Sequence, residues 1–329
     1  MKLQESHTLS FYGYKSKVAK NIERSLRNNS LTSAQGESIY TLLKKKIAPD
    51  RLCGVGMHAS VYKIDDYYVV KVPSKVDYNE KVICKEGVIK PSFNNLKTYF
   101  GEVLFKLKNF YILKNVSSKN PHIPVGIPLK NYINLTFYDI HKPENYNKLL
   151  DTYNKSILPL VSSLPQKSYD AVARDCSLLN KMSNHKFSYF FDYENPNNFV
   201  IVGNKIRVID TIYKSSPDRL MNTISSLLEV FLNNMGYQLS AKFSKDLVSY
   251  RRDIFKKVIL AGIKQGLPVE PSGNHPFSFK KALKLTDLSN IDDDSFIVSL
   301  NNLLNIRDID KRVAITQEFL NKLFKNAAS

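Results

Sequence analysis

The stretch FFDYENPNNFVIVGNKIRVIDT, residues 190–211, sets Asp192 five positions before Asn197 and Asp210 thirteen positions after it. Between the last two lie a strand-like run (199–202), a Gly203-Asn204 turn and a second run (206–209), which together read as a tight hairpin. A hairpin returns the chain near its start, so Asp210 comes back toward Asn197 with Asp192 a turn away. An amide and a carboxylate so arranged are hard oxygen ligands suited to Mg²⁺, which takes one or two protein oxygens and completes its shell with phosphates and water. Asp192, outside that shell, is left to accept a proton from an attacking hydroxyl. Residues of these types in this order suit phosphoryl transfer.

A second group precedes it. In RLCGVGMHASVYKIDDYYVVKVP, residues 51–73, Gly54-Val55-Gly56 ends one strand before another begins. Two glycines let backbone approach a ligand, and successive N–H groups of such a turn can surround phosphate oxygens. Ala59 keeps the loop small, and Val61 would lie against a flat aromatic ligand. Lys71 sits on the returning strand within VVKV, where a lysine is costly to bury without an anionic partner. Phosphate plus a carboxylate would supply one. The plain alternative is a glycine turn followed by an edge strand with an exposed lysine.

Several elements must hold these groups. Residues 16–47 carry helical spacing with a polar break at NNSLTS. From Leu52 short strands take over, VYKIDD and YYVVKV, joined at Asp65-Asp66. LKTYFGEVLFKLKNFYILKN, residues 96–115, spaces its apolar residues as one helix, or a helix running into a strand. GIPLKN and INLTFYDI, within 126–140, read as strands. Helices follow at 145–160 and 168–183, the latter with Ala171, Val172, Cys176 and Leu179 on one side. Residues 217–329 are nearly all helical in pattern, with breaks at Gly236, Gly266–Gly273 and the acidic IDDD, 291–294. Strands first and helices later imply an α+β protein with a small sheet lobe and a larger helical lobe.

Composition narrows the classes. The chain has 329 residues, 43% hydrophobic and 24% charged, enough for a substantial core. Its apolar stretches are too short to span a bilayer, and the start MKLQESHTLSFYGYK has no Sec-type pattern. Cys53, Cys84 and Cys176 match no zinc or redox spacing and read as free thiols; no metal site is expected from Cys and His. The net charge of +18 is spread along the chain without an RGG tract, zinc module or RNP-type strand. That is a solvated basic surface, open to an anionic membrane, rather than a dedicated nucleic-acid site.

The spacing Asp192, Asn197, Asp210 resembles the catalytic and metal-binding loops of protein kinases, and GVGMHASVY…VVK resembles their glycine-rich loop and strand lysine. More narrowly, GxGxxAxVY, the very tight first hairpin, FFD and IDT look like the secreted bacterial effector kinases of the NleH/OspG type. The match covers residues 50–215. It implies a protein-kinase-like two-lobe fold, ATP and Mg²⁺ as cofactors, and transfer to serine or threonine of a protein, the substrates of an effector being host proteins. It also implies delivery from the bacterial cytoplasm by a specialised secretion system. Gly54, Val55, Gly56, Ala59 and Val61 would line the nucleotide, Lys71 would bind its phosphates, and Asn197 and Asp210 would hold the metal. Glu102, in the expected helix at 96–115, would orient Lys71; Glu80 and Glu86 fall in a charged stretch read as loop. YDIHKPENYN, 138–147, imitates the kinase phrase RDLKPEN, but Asp139 precedes Asn145 by six positions and no hairpin follows. It reads as the hinge, 139–146, with His141 and Glu144 solvated.

Departures from the family pattern leave rival readings. Phe190-Phe191 replaces the usual His-Arg, Thr211-Ile212 replaces a glycine, and SSPD, 215–218, leads almost at once into a helix. Aminoglycoside and choline kinases share the Asp/Asn/Asp spacing, although their His-Gly-Asp wording is absent. A pseudokinase acting as a binding module is the third reading and a nucleic-acid protein the fourth. The expected organisation is an N-terminal helical or targeting segment (1–48) and a kinase-like core (49–215). Within that core the N-lobe runs to about 140 and the catalytic hairpin is 190–212. A helical extension (216–329) follows, part of it a candidate module for a partner.

Overall fold

The computed structural model describes residues 16–27, 32–55, 59–73, 96–100, 103–116, 122–124, 143–182, 188–191, 198–209, 211–214, 223–232, 247–269 and 279–326. The chain divides into two compact units, one formed by 1–83 with 102–121 and the other by 84–101 with 122–329. The architecture is α+β: a small antiparallel sheet in the first unit, and helices around two short strand sets in the second.

In the first unit, α1 (Lys17–Arg27) and α2 (Ser33–Lys44) precede β1 (Leu52–Val55), β2 (Ala59–Lys63), β3 (Tyr68–Pro73), β4 (Val103–Leu107) and β5 (Phe110–Lys114). The strands form one antiparallel sheet in the order β1-β2-β3-β5-β4. Val18, Ala19 and Ile22 recur on one side of α1, and with Ile39 and Leu43 of α2 they cover Val70, Phe110 and Ile112. Thr32 and Gln35 close a capping box at the start of α2, which is why the chain breaks there.

The hairpin turn between β2 and β3 is tied to α1 through Asp65. One carboxylate oxygen accepts from Ser16 N at 3.1 Å and Ser16 Oγ at 2.7 Å. The other accepts from Tyr67 N at 2.8 Å and Tyr68 N at 3.1 Å. Ser16 Oγ in turn accepts from Ala19 N, the pattern of a helix N-cap. Tyr68 donates its hydroxyl to Glu23 of α1, and burial together with that carboxylate pushes the phenol up to about 12.

One sequence expectation is corrected. Residues 96–115 are not a helix: β4 and β5 form a hairpin whose turn begins at Lys108, in the left-handed region at φ 52°. β5 is an interior strand with helices on one face, and Phe110, Tyr111, Ile112 and Leu113 are all buried. A strand buried on both faces gives a continuous apolar run, which spacing alone does not separate from a helix. The helix expected over 96–115 is absent from its described residues, and Glu102 itself lies outside them. The strands expected within 126–140 lie outside the described residues.

The second unit contains β6 (His122–Pro124), α3 (Pro143–Thr152), a π-helical turn (Tyr153–Ile157), α4 (Leu158–Ser163) and α5 (Gln166–Met182). Next come β7 (Ser188–Phe191), β8 (Phe199–Val202), β9 (Lys205–Val208) and β10 (Thr211–Lys214). Five helices follow among the described residues: α6 (Ile224–Leu232), α7 (Val248–Gln265), α8 (Phe279–Leu285), α9 (Asp293–Leu303) and α10 (Ile309–Asn326). α3 opens at Pro143-Glu144, so the kinase-like phrase HKPEN runs into a helix start with Glu144 exposed. Val172, Cys176 and Leu179 of α5 are buried with Tyr169 and Ala173, while Ala171 is half-buried. Burial pushes the Cys176 thiol up, so it stays a neutral core side chain. One apolar core runs from α4 and α5 through β8 and β9 to α10. α6 meets α7 at close range: a Cβ on Gly262 would collide with the Ile224 side chain. No helix among the described residues is long and apolar enough to cross a membrane.

Asp65→Ala strands four donors around a buried turn, and we expect it to lower stability by about 3 kcal/mol. Urea unfolding checks this through the midpoint at constant slope. An unchanged midpoint would mean that water satisfies those donors equally well.

Candidate functional site

In the first unit the sheet presents two apolar faces, and Lys71 lies on the one the helices do not cover. Strand register aligns Val61 of β2, Lys71 of β3, Tyr111 of β5 and Lys106 of β4 in a single row. Alternation puts the side chains of such a row on a common face. Val69, Tyr111 and Leu113 form a small cluster there with half-buried Cys53 and Val61, and Lys106 Nζ stands 5.4 Å from the Tyr111 ring centroid. Lys71 itself is half-buried. The sequence-expected pair Val61 and Lys71 are thus cross-strand partners beside an apolar patch.

The glycine turn is described in part. Gly54 pairs with Val61 after an irregularity in the β1 ladder, and Ala59 is buried at the start of β2. A Cβ on Gly54 would meet no atom within 4 Å, so the protein's own packing does not require a glycine there. Gly56 lies outside the described residues, as do Glu80, Glu86 and Glu102.

In the second unit the hairpin read from the sequence is present. β8 and β9 pair from Phe199↔Val208 to Val202↔Lys205, and Gly203 turns the chain with φ +58°. Asp192, Asn197 and Asp210 are outside the described residues, but their neighbours are placed. Phe191 faces Thr211 and Phe190 faces Ile212 in the β7–β10 ladder. Ile209 N donates to Asn198 O at 2.9 Å. The residues that replace the kinase His-Arg and glycine are therefore strand partners of each other. β6 extends the hairpin on its other side, pairing Ile123 with Ile201.

A buried carboxylate that sequence reasoning passed over fixes this hairpin from behind. Asp175 of α5 has a side chain with 0% exposure. It accepts from Lys97 N at 3.0 Å, and from Thr98 N and Thr98 Oγ1 at 2.6 Å each. The segment so held bonds to β9: Val208 N donates to Thr98 O at 2.9 Å, and Phe100 N donates to Val208 O at 2.7 Å. Arg207 donates to Lys97 O on the same segment. The signal was legible, since residue 175 falls on the apolar stripe of 172, 176 and 179, where a carboxylate needs partners.

Among the described residues no group of three or more His, Cys, Asp or Glu side chains could hold a metal. For Asp175→Ala we expect faster amide exchange at Val208 and Phe100, and a stability loss of about 3 kcal/mol from unpaired buried donors. Hydrogen exchange read by mass spectrometry over 96–100 and 205–209 checks it; unaltered protection there would show that β9 is held by other means.

No family model and no curated protein matches the sequence. Solved structures resemble it at low similarity. A streptomycin–ATP ternary complex of the aminoglycoside phosphotransferase APH(2'')-IIa is 15% identical at TM-score 0.31, covering 88% of this chain and 97% of that one. ADP-bound APH(2'')-Ib is 16% identical at TM-score 0.32, covering 87% and 98%. The pseudokinase domain of BIR2, an immune regulator of the RLK/Pelle family, is 11% identical at TM-score 0.30, covering 87% and 83%. Each likeness lies below a TM-score of 0.5 and 25% identity, so none bears on what this chain binds or transforms.

Proposed function

We propose that this protein is a Mg-ATP-dependent phosphotransferase with a protein-kinase-like fold. The observation that carries the reading is the pairing around the Asp192, Asn197, Asp210 set. Phe191 pairs with Thr211, and these are the chain neighbours of Asp192 and Asp210. Ile209 N donates to Asn198 O, and these are the chain neighbours of Asp210 and Asn197. An amide and two carboxylates beside such pairs are the groups phosphoryl transfer needs for a metal and a nucleophile.

Support from the first unit concerns the nucleotide. The Lys71 face combines apolar side chains for a planar base with a cation for phosphate, and no described residue fills the space a side chain on Gly54 would take. Val61, Ala59, Gly54, Val55 and Gly56 would line the nucleotide and Lys71 would hold its phosphates. Asn197 and Asp210 carry the hard oxygens Mg²⁺ prefers, and the ion supplies neutralisation of phosphate charge. Asp192 positions the acceptor hydroxyl and receives its proton. Glu102 remains the proposed partner of Lys71, now from the residue preceding β4.

Two acceptor classes follow. The wording GxGxxAxVY with FFD and IDT supports serine or threonine of a host protein, the reading as a secreted effector. A small hydroxylated acceptor of the aminoglycoside or choline type is favoured by a separate observation. Only residues 215–223 connect β10 to α6, which leaves little chain to hold a peptide.

Incubation with labelled ATP and Mg²⁺ tests the donor reading. We expect Lys71→Ala and Asp210→Ala to cut turnover about 100-fold or more. Equal turnover in wild type and both variants would remove the enzymatic assignment. Nucleotide-dependent thermal stabilisation without turnover would identify a nucleotide-binding module instead. Parallel panels of protein and aminoglycoside acceptors decide the substrate class.

A further inference from the structure

Among the described residues of the helical unit, one buried cation forms no ion pair. Arg251, in the first turn of α7, is 5% exposed, and its Nη1 is buried with no hydrogen-bond partner. Among the described residues no carboxylate forms an ion pair with it. The acid two positions on, Asp253, is bonded to Ser162 Oγ at 2.9 Å and to Lys257 Nζ at 2.8 Å. Glu229, a buried carboxylate of α6, acts on Lys281. Tyr153, on the π-helical turn, is the polar neighbour that acts on the Arg251 charge, and a neutral phenol does not balance a guanidinium.

The place is favourable for negative charge on a second ground. α7 is 18 residues long, has no side-chain N-cap and has no acid in its first turn. Its leading N–H groups and macrodipole therefore present positive potential, and helical side chains lean toward the N-terminus from which Arg251 starts. A guanidinium does not lose its proton in a protein, so burial leaves it charged and in need of an acceptor. A buried charge without one costs several kcal/mol.

We propose that Arg251 and the N-terminal turn of α7 form a binding site for a small oxyanion of phosphate type, separate from the residues assigned to nucleotide and metal. A planar guanidinium fork and a row of helix N–H groups are the two devices by which proteins recognise tetrahedral oxyanions. Inorganic phosphate is the probe. Thermal unfolding of the full chain is followed against phosphate at constant ionic strength, with chloride as the control anion and saturating ATP analogue present to occupy the nucleotide site. We expect phosphate at tenfold its dissociation constant to raise the midpoint by about 2–4 °C where chloride does not. The shift persists in Lys71→Ala and disappears in Arg251→Met. Without phosphate, Arg251→Met unfolds at or above the wild-type temperature, because it removes an uncompensated charge while filling the same space. If the wild type shows no phosphate-specific shift, the site does not exist. A lower midpoint for Arg251→Met without phosphate, or a shift that survives in it, would equally overturn the assignment by showing a partner for Arg251 within the chain or a phosphate site elsewhere. Should Arg251→Met fail to fold, Arg251→Lys decides: loss of planar bidentate geometry weakens phosphate binding about tenfold if the fork holds the anion, and leaves it unaltered if it does not.

Discussion

The Asp175 carboxylate, fully enclosed in the middle of α5, carries the heaviest constraint in the second unit. Burying it is tolerable because three donors from Lys97 and Thr98 converge on it, with the Arg174 guanidinium at 3.4 Å beside them. That requirement draws 96–100 against α5, and the backbone of the segment then bonds on both sides of Val208. β9 is thereby fixed at the residue two positions before Asp210. The polar pin and the apolar packing of Val172, Cys176 and Leu179 act from the same helix face. A helix chosen for core packing thus also sets the position of the hairpin that bears the candidate chemistry.

In the first unit the corresponding role falls to Asp65. A single acid joins the β2–β3 turn to the start of α1, so the helices settle on one face of the sheet and leave the other to Val61, Lys71 and Tyr111. The lysine needs no unusual backbone to be there, since alternation along β3 assigns Val70 to the helix side and Lys71 to the opposite side. Each unit therefore uses one buried carboxylate to fix a strand pair that holds candidate functional residues.

The residues that depart from kinase wording acquire a physical account. Phe190, Phe191, Thr211 and Ile212 occupy the β7–β10 ladder, where β-branched and aromatic pairs are the favoured cross-strand partners. A glycine at 211 would weaken that ladder.

Local chemistry made much of this legible in advance. The Gly203-Asn204 turn, the Asp65-Asp66 turn, the break before Ser33 and the buried stripe of α5 follow from rules that act over a few residues, and each was read at nearly its observed place. The seat of Lys71 on a strand, alternating with Val70 and Val72, likewise needed only period. What spacing could not supply was the identity of β4 and β5: an interior strand exposes no polar alternation, so its run of Phe110 to Leu113 carries the same apolar signal as a buried helix. Nor could it pair β7 with β10, add β6 to the hairpin, or send Lys97 and Thr98 to an acid 77 residues away. Those are choices between distant partners, settled by which arrangement satisfies buried donors and closes apolar faces together, and only the folded chain decides them.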